Sequence, residues 1–292
     1  MTGTKLTWFF CAAAAYGQSL NGVIDIHAHS DPDSVTRSID AIDLAKLAKS
    51  RGMRGLVLKN HYESTAALAA IVRKEVPGIE TFGGIDLNLT VGGLNVAAVE
   101  RMTMVKGGWG RVVWMPTFDA ENQVHYSKEN RPFVSVAKNG ELVSEVKQVI
   151  ASVARHNLTL ATGHSSPEEG LMIVREARRQ GVEHVVVTHA IKAPVRMTIA
   201  QMRAAAQAGA FIEFDYGGLL GSNGFKPADY ARAIREVGPA SCILSSDLGQ
   251  PNNPLHPDGL AAFFAVLGKE GFSEADIDLM SKTNPAKALG LQ

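Results

Sequence analysis

The feature that most limits how this chain can fold is a recurrence of short β-rich runs, each followed by a stretch of helical character. The runs are VIDIHAH (23–29), GLVLKNH (55–61), ETFGGIDLN (80–88), RVVWMPTFD (111–119), LTLATGHSS (158–166), HVVVTHA (184–190), AFIEFDYGG (210–218) and SCILSSDLG (241–249). Between them lie segments such as IDAIDLAKLAKSRG and TIAQMRAAAQAG, with an apolar helical face and glycine as a stop signal. Such alternation implies parallel strands joined by crossover helices. Eight units predict a single (β/α)8 barrel over residues 18–292, a size at which α/β barrels commonly form one domain. A Rossmann sheet fits less well, because no G-x-G-x-x-G follows the first strand.

Two connections are unusual. The stretch after the fourth run, DAENQVHYSKENRPFVSVAKNGEL, is predicted as a long lid or rim loop, and LGQPNNPLHPDG after the eighth is rich in turn residues. Both follow strand C-termini, the end at which such barrels build active sites.

The start of the chain departs from this rhythm. Lys5 precedes the apolar run LTWFFCAAAAYG, with small residues Ala15 and Gly17 before Gln18, so residues 1–17 read as a secretory signal peptide. The protein is then expected to be secreted or periplasmic; if the segment instead caps the fold, a cytoplasmic protein is the alternative. The run is too short to span a bilayer as a helix. Cleavage would remove Cys11 and leave Cys242 alone, with no intramolecular disulfide. With 29 basic and 29 acidic side chains, nothing in the charge balance calls for nucleic acid, and a small-molecule partner is expected. A homo-oligomer stays open.

The histidines carry the functional signal. His27, His29, His61, His164 and His189 fall at the ends of four predicted strands, and His125 and His256 in loops that follow strands. A lone histidine is usually a hydrogen-bonded structural residue, but a set converging on the C-terminal face of a barrel is not easily dismissed. Because side chains alternate along a strand, Asp25, His27 and His29 should share one face. The same rule groups Val57, Lys59 and His61; Leu160, Thr162 and His164; Val187 and His189; and Ser245 and Asp247. If these faces are the interior, four histidines and Asp247 meet at the mouth. Neutral imidazoles and a carboxylate suit a divalent ion, most simply Zn²⁺, although Mn, Fe, Co or Ni would also be accepted. A divalent ion acidifies water and polarises a carbonyl or phosphoryl group, so hydrolysis follows naturally. Asp247 is the candidate proton shuttle, its other reading being a turn or N-cap residue in SSDLGQ.

These residues resemble the amidohydrolase superfamily of metal-dependent barrel hydrolases across nearly the whole chain after the N-terminal segment. DIHAH is similar to its first-strand H-x-H motif, TGHSS and VTHA to its fifth- and sixth-strand histidines, SSDLG to its eighth-strand aspartate, and TNPAKALGL to its usual C-terminal ending. The resemblance implies His27, His29, His164, His189 and Asp247 as metal ligands, with His189 and Asp247 also catalytic. It departs at the fourth strand, where RVVWMPTFD offers neither the lysine nor the glutamate that bridges two metals in many members. Lys59 on the second strand is a candidate carboxylated bridge, since burial favours a neutral lysine; otherwise it is a protonated substrate-binding group or a barrel residue paired with Asp25 or Glu213, and the site holds one ion rather than two. His61, Asp25 and His256 are candidates for substrate contact or ligand support.

Trp114, Phe118, Tyr126, Phe214 and Tyr216 could form an aromatic rim. Lys128, Arg131, Lys192 and Arg196 follow strands four and six and could meet an anionic substrate, although a solvated surface accounts for any one of them. The expected activity is hydrolysis of an amide, lactone, ester or phosphoester. A metal-dependent decarboxylase or lyase, and a catalytically silent metal- or ligand-binding barrel, are the alternatives.

Overall fold

The computed structural model describes residues 19–221 and 224–292, so the segment read as a signal peptide lies outside the described residues. Eight parallel strands, β1 (Ile24–Ala28), β2 (Gly55–Leu58), β3 (Glu80–Asp86), β4 (Gly110–Trp114), β5 (Thr159–Ala161), β6 (His184–Val187), β7 (Phe211–Asp215) and β8 (Cys242–Ser245), pair in sequence order in one sheet. Each overlaps one of the eight β-rich runs, and the predicted (β/α)8 barrel is the observed fold. The outer helices are α1 (Ala41–Ser50), α2 (Ala66–Glu75), α3 (Val96–Thr103), α4 (Glu121–Tyr126), α5 (Ser144–Arg155), α6 (Pro167–Arg179), α7 (Ile199–Gln207), α8 (Pro227–Val237) and α9 (His256–Lys269). Two shorter helices, α10 (Glu274–Asp278) and α11 (Asn284–Ala288), end the fold.

Local chemistry sets the helix starts near the strand ends. Asp40 caps α1 by accepting from the amides of Ile42 and Asp43, and Ser166 and Glu169 form a reciprocal capping box at α6, with Pro167 in its first turn. The α6 cap stands two residues past His164, which ties that strand end to a rigid element.

Apolar side chains divide into two layers, as a closed barrel requires. Leu56, Leu58, Val113, Leu160, Val185, Val187, Ile212 and Leu244 face outward against the helices. Ile24, Ile26, Val57, Phe82, Val112, Trp114, Ala161, Val186 and Ile243 fill the interior, where Ala286, Ala288 and Leu289 of the chain's end close it from below. The Thr159 hydroxyl fastens that plug by donating to the Ala288 carbonyl at 2.6 Å.

This layering corrects the strand parity on three strands. Ile24 and Ile26, not Asp25, point into the β1 interior, and on β5 and β6 the inward residues are Ala161 and Val186, not Leu160 and Val187. The histidines beyond them reach the interior because the backbone departs from strict alternation. The β1–β2 register shifts between Asp25 and Ala28, Gly163 has φ +61°, and His189 itself has φ +24°. Gly163 is needed there on a second count: a Cβ would stand 2.2 Å from the Met115 carbonyl oxygen.

The long connection after β4 is also corrected. It is not a bare loop: α4 begins two residues after Asp119, and Ala137–Lys138 pairs with Glu141–Leu142 as a short antiparallel hairpin. No helix among the described residues is long and apolar enough to cross a membrane.

Candidate metal centre

The seam between the first and last strands is built from the same residues that form the site. The Asp247 amide donates to the His27 carbonyl at 2.9 Å, and the His29 amide to the Leu248 carbonyl at 3.0 Å. Asp25 takes part with its side chain: Oδ1 accepts from the Ser246 amide at 3.0 Å and from the His27 amide at 3.1 Å. Desolvation drives the Asp25 carboxyl up to about 6, and its Oδ2 finds no partner among the described residues. Asp25 therefore supports the seam and does not line the interior. Asp247 sits at φ +49°, a conformation that costs a non-glycine residue roughly 1–2 kcal/mol and that aims its carboxylate inward.

Four imidazoles converge here, and all four turn Nε2 toward the centre. His29 Nδ1 donates to the Lys59 carbonyl at 2.7 Å, His164 Nδ1 to Gln123 Oε1 at 2.8 Å, and His27 Nδ1 to Glu213 Oε1 at 3.0 Å. A carbonyl can only accept, so the Nδ1 proton is fixed and Nε2 of the neutral ring carries a lone pair. For His27 and His29 those lone pairs meet a carboxylate. His27 Nε2 and His29 Nε2 stand 3.2 and 3.1 Å from the same Asp247 Oδ1, and His164 Nε2 stands 3.1 Å from His189 Nε2. Acceptors held as close as these two imidazoles and Oδ1 need a proton or a cation among them, whereas His189, whose Nδ1 has no partner among the described residues, can donate from Nε2 to His164. The ligating atoms of His27, His29 and Asp247 lie within 4.8 Å of one another, so one ion can reach all three. Each outer nitrogen held by a carboxylate, carbonyl or amide oxygen is the support that orients a metal-binding imidazole. The donor set thus fits a divalent ion, with nitrogen and oxygen donors that do not discriminate sharply between Zn²⁺ and its neighbours.

Burial and charge prepare the donors. Desolvation depresses His29 and His164 well below the ordinary histidine range and His189 to about 3, so these rings are neutral at neutral pH. His27 is the exception: burial opposes its charge, but Asp247 and Glu213 outweigh burial and raise it. Glu213, despite full desolvation, is held at about 2 by His27 and by the His189 amide. Asp247 stays well below the carboxylate range because Lys192, His27 and His29 overcome its burial.

Lys59 and His61 extend from β2 with the inward parity expected of them, beside a second cluster. Lys59 Nζ lies 2.9 Å from Asp86 Oδ2, with both side chains enclosed, and 5.3 Å from the centre of the Trp114 ring. His61 Nδ1 is 2.9 Å from the Thr117 hydroxyl, which itself donates to Asp86 Oδ2 at 2.9 Å, and Asn88 ties Thr117 to the His61 carbonyl. Phe118 stacks on the His61 ring at 3.7 Å between centroids and marks the mouth.

Other candidates stand elsewhere. His256 is buried at the start of α9 beside the backbone of His29 and Leu248, behind the seam. His125 is exposed on α4 and meets Phe133. Trp114 belongs to the barrel interior with its ring 6.4 Å from that of His27, Phe214 and Tyr216 pack against Tyr230 and Phe263, and Phe118 lies against His61 and His164. Arg131 is occupied by Asp119 and Glu129, whereas Lys192 donates to Asp215 Oδ1 at 3.2 Å and to Asp247 Oδ2. Glu213, Asp215, Asp86, Thr117 and Gln123 were not predicted as site residues. Asp86 and Asp215 end their strands, and Glu213 sits two residues before one, so the rule that singled out the histidines would have found them had it been applied to carboxylates.

Solved structures with the same architecture include an amidohydrolase from Pseudomonas aeruginosa, at 14% identity over 93% of this chain and 96% of that one, with a TM-score of 0.64. An organophosphorus hydrolase from Deinococcus radiodurans matches at 15% identity over 94% of both chains, also with a TM-score of 0.64. A third, from the engineering of organophosphate hydrolysis on a weak promiscuous lactonase template, is 15% identical over 94% of this chain and 98% of that one, with a TM-score of 0.64. At this identity the likeness establishes a shared barrel. No curated protein matches the chain by sequence. Residues 22–213 match the model of a family of unknown function, DUF6282, and the chain belongs to that family.

Proposed function

We propose that the protein is a metal-dependent hydrolase of small molecules. The observation that carries this reading is the approach of His27 Nε2 and His29 Nε2 to one oxygen of Asp247, Oδ1, with the paired His164 and His189 Nε2 atoms alongside. The folds it shares with an amidohydrolase and an organophosphorus hydrolase support the same reaction class. His27, His29 and Asp247 would hold a divalent ion, near His164 and His189, and the chemistry it would supply is an acidified water and a polarised carbonyl or phosphoryl group. Asp247 takes the proton from the water and returns it to the leaving group. Glu213, Gln123 and the Lys59 carbonyl hold three imidazoles in their ligating tautomers.

The enclosed pair with Asp86 favours Lys59 as an ammonium over a carboxylated bridge, and hence one ion over two. Metal analysis of wild type and Lys59→Ala, with and without bicarbonate, decides between them: a fall from two ions to one supports the bridge, and one ion in both supports the pair. Hydrolysis itself is tested by turning over a panel of esters, lactones, amides and phosphotriesters in ¹⁸O-water. Label in the product of an active member supports a hydrolase; turnover without label from solvent points to the lyase chemistry that a similar site can also support.

A further inference from the structure

We propose that Lys192 is the specificity residue of this site and selects substrates that carry an anionic group, such as a carboxylate, next to the bond that is cleaved. The inference rests on the metal-hydrolase reading and adds the substrate class to it. Lys192 follows β6 and reaches across to β7 and β8, donating to Asp215 Oδ1 and Asp247 Oδ2. The two oxygens of Asp247 therefore have separate duties: Oδ1 faces His27 and His29, and Oδ2 faces Lys192. The ammonium thus borders the metal centre without occupying the space between the imidazoles and Oδ1.

Three observations make it a group that receives a ligand. An ammonium has three donors, and the structure assigns two of them. The Lys192 side chain is 30% exposed while Asp215 and Asp247 are 0% and 10%, so this cation is the member of the trio that solvent and substrate meet. Gly217 keeps the approach open, because a Cβ there would stand 3.3 Å from Nζ and 3.1 Å from Asp215 Oδ1. The other nearby cations are committed: Lys59 is enclosed against Asp86, and Arg131 is spent on Asp119, Glu129 and the Phe118 carbonyl. Once Asp247 shares its charge with a divalent ion, Asp215 is the remaining full counter-charge on Lys192, and an anionic group of the substrate completes its shell.

The test compares succinate with butyrate, which match in length and differ by one carboxylate, as ligands of the zinc-loaded protein by calorimetry at constant ionic strength. Wild type is expected to hold succinate about tenfold more tightly, the scale of one charge-assisted hydrogen bond. Lys192→Arg should keep the preference and Lys192→Met should erase it. Should Lys192→Met not fold, Gly217→Ala crowds the same ammonium and is expected to weaken the preference. A zinc-loaded wild type with no preference, or a preference that survives in Lys192→Met or is unchanged in Gly217→Ala, overturns this inference alone. A chain that takes up no zinc overturns the metal reading and this inference with it.

Discussion

The two sides of the barrel mouth are built on different rules. On the β2–β3–β4 side, regular strand alternation delivers Lys59 and His61, and the polar groups are spent on one another: Lys59 on Asp86, Thr117 on Asp86, and Asn88 on Thr117 and the His61 carbonyl. On the β1–β5–β6–β8 side, a register shift, Gly163 and two positive-φ residues deliver the histidines and Asp247, and the Nε2 atoms of His27 and His29 face Asp247 Oδ1. On the first side, of the groups just named, only Asp86 Oδ1 is left without a hydrogen-bond partner among the described residues, and the cation is paired within the protein. The other is a set of donors held at a cost in backbone strain and electrostatic repulsion, which a fold keeps where a ligand repays it.

The contrast can be broken experimentally, and the largest expected effect is catalytic. On any substrate the panel identifies, Asp247→Asn should lower kcat/KM by ~10²–10⁴-fold, the range for loss of general acid–base catalysis, with the fold retained by circular dichroism. Unchanged activity with bound metal would remove Asp247 from proton transfer.

Next comes the β2–β3 pair. Asp86→Asn strands a buried ammonium, and a loss of roughly 3–5 kcal/mol in denaturant unfolding is expected. If Lys59 and Asp86 form a structural unit, zinc stoichiometry in the surviving folded fraction stays at the wild-type value. A drop in stoichiometry would show that the two sides are not separate.

Support of the ligands is a smaller effect. Glu213→Gln should weaken zinc binding at pH 8 by about 10–100-fold, as loss of an orienting partner does. The variant also tests a sign. His27 is raised above its ordinary value by Asp247 and Glu213, so in the metal-free chain its protonated form is stabilised below pH 6.5 and that contribution is lost as pH rises through the elevated pKa. Zinc must displace that proton, so zinc affinity falls as pH drops through the same range. In Glu213→Gln the fall should begin at a lower pH; titrations of zinc affinity against pH that superimpose after scaling would contradict the role of Glu213.

The smallest effect concerns the backbone. Gly163→Ala places a β-carbon at φ +61°, roughly 1–2 kcal/mol for the conformation alone before the contact with Met115 is counted. Thermal unfolding should register the loss.

How much of this was legible in the sequence follows the same division. The barrel could be read, because eight hydrophobic runs and their helices are a chain-wide pattern. The convergence of the strand-end histidines could be read, and Lys59 and His61 were placed on the correct face because β2 alternates regularly. The route by which His27, His164 and His189 turn inward could not be read: it depends on a register shift and on backbone breaks at Gly163 and His189, and period-2 parity assumes that none exist. The helix α4 was missed because DAENQVHY sits among turn-forming residues and makes only six helical residues. The expected pairing of Lys59 with Asp25 or Glu213 is not what forms: Asp86 from the adjacent strand takes Lys59 and Glu213 takes His27, contacts between strands that a strand-by-strand reading does not reach.

The central claim is that the Nε2 atoms of the β1 pair and Asp247 hold a divalent ion. It is tested most directly by elemental analysis of protein purified without chelator, comparing wild type with the His27→Ala, His29→Ala double variant, each shown to be folded. At least one equivalent of a divalent metal in wild type, lost in the variant, is the result expected here. A folded wild type that retains no divalent metal even after zinc is supplied, or a variant that retains the full complement, would contradict it.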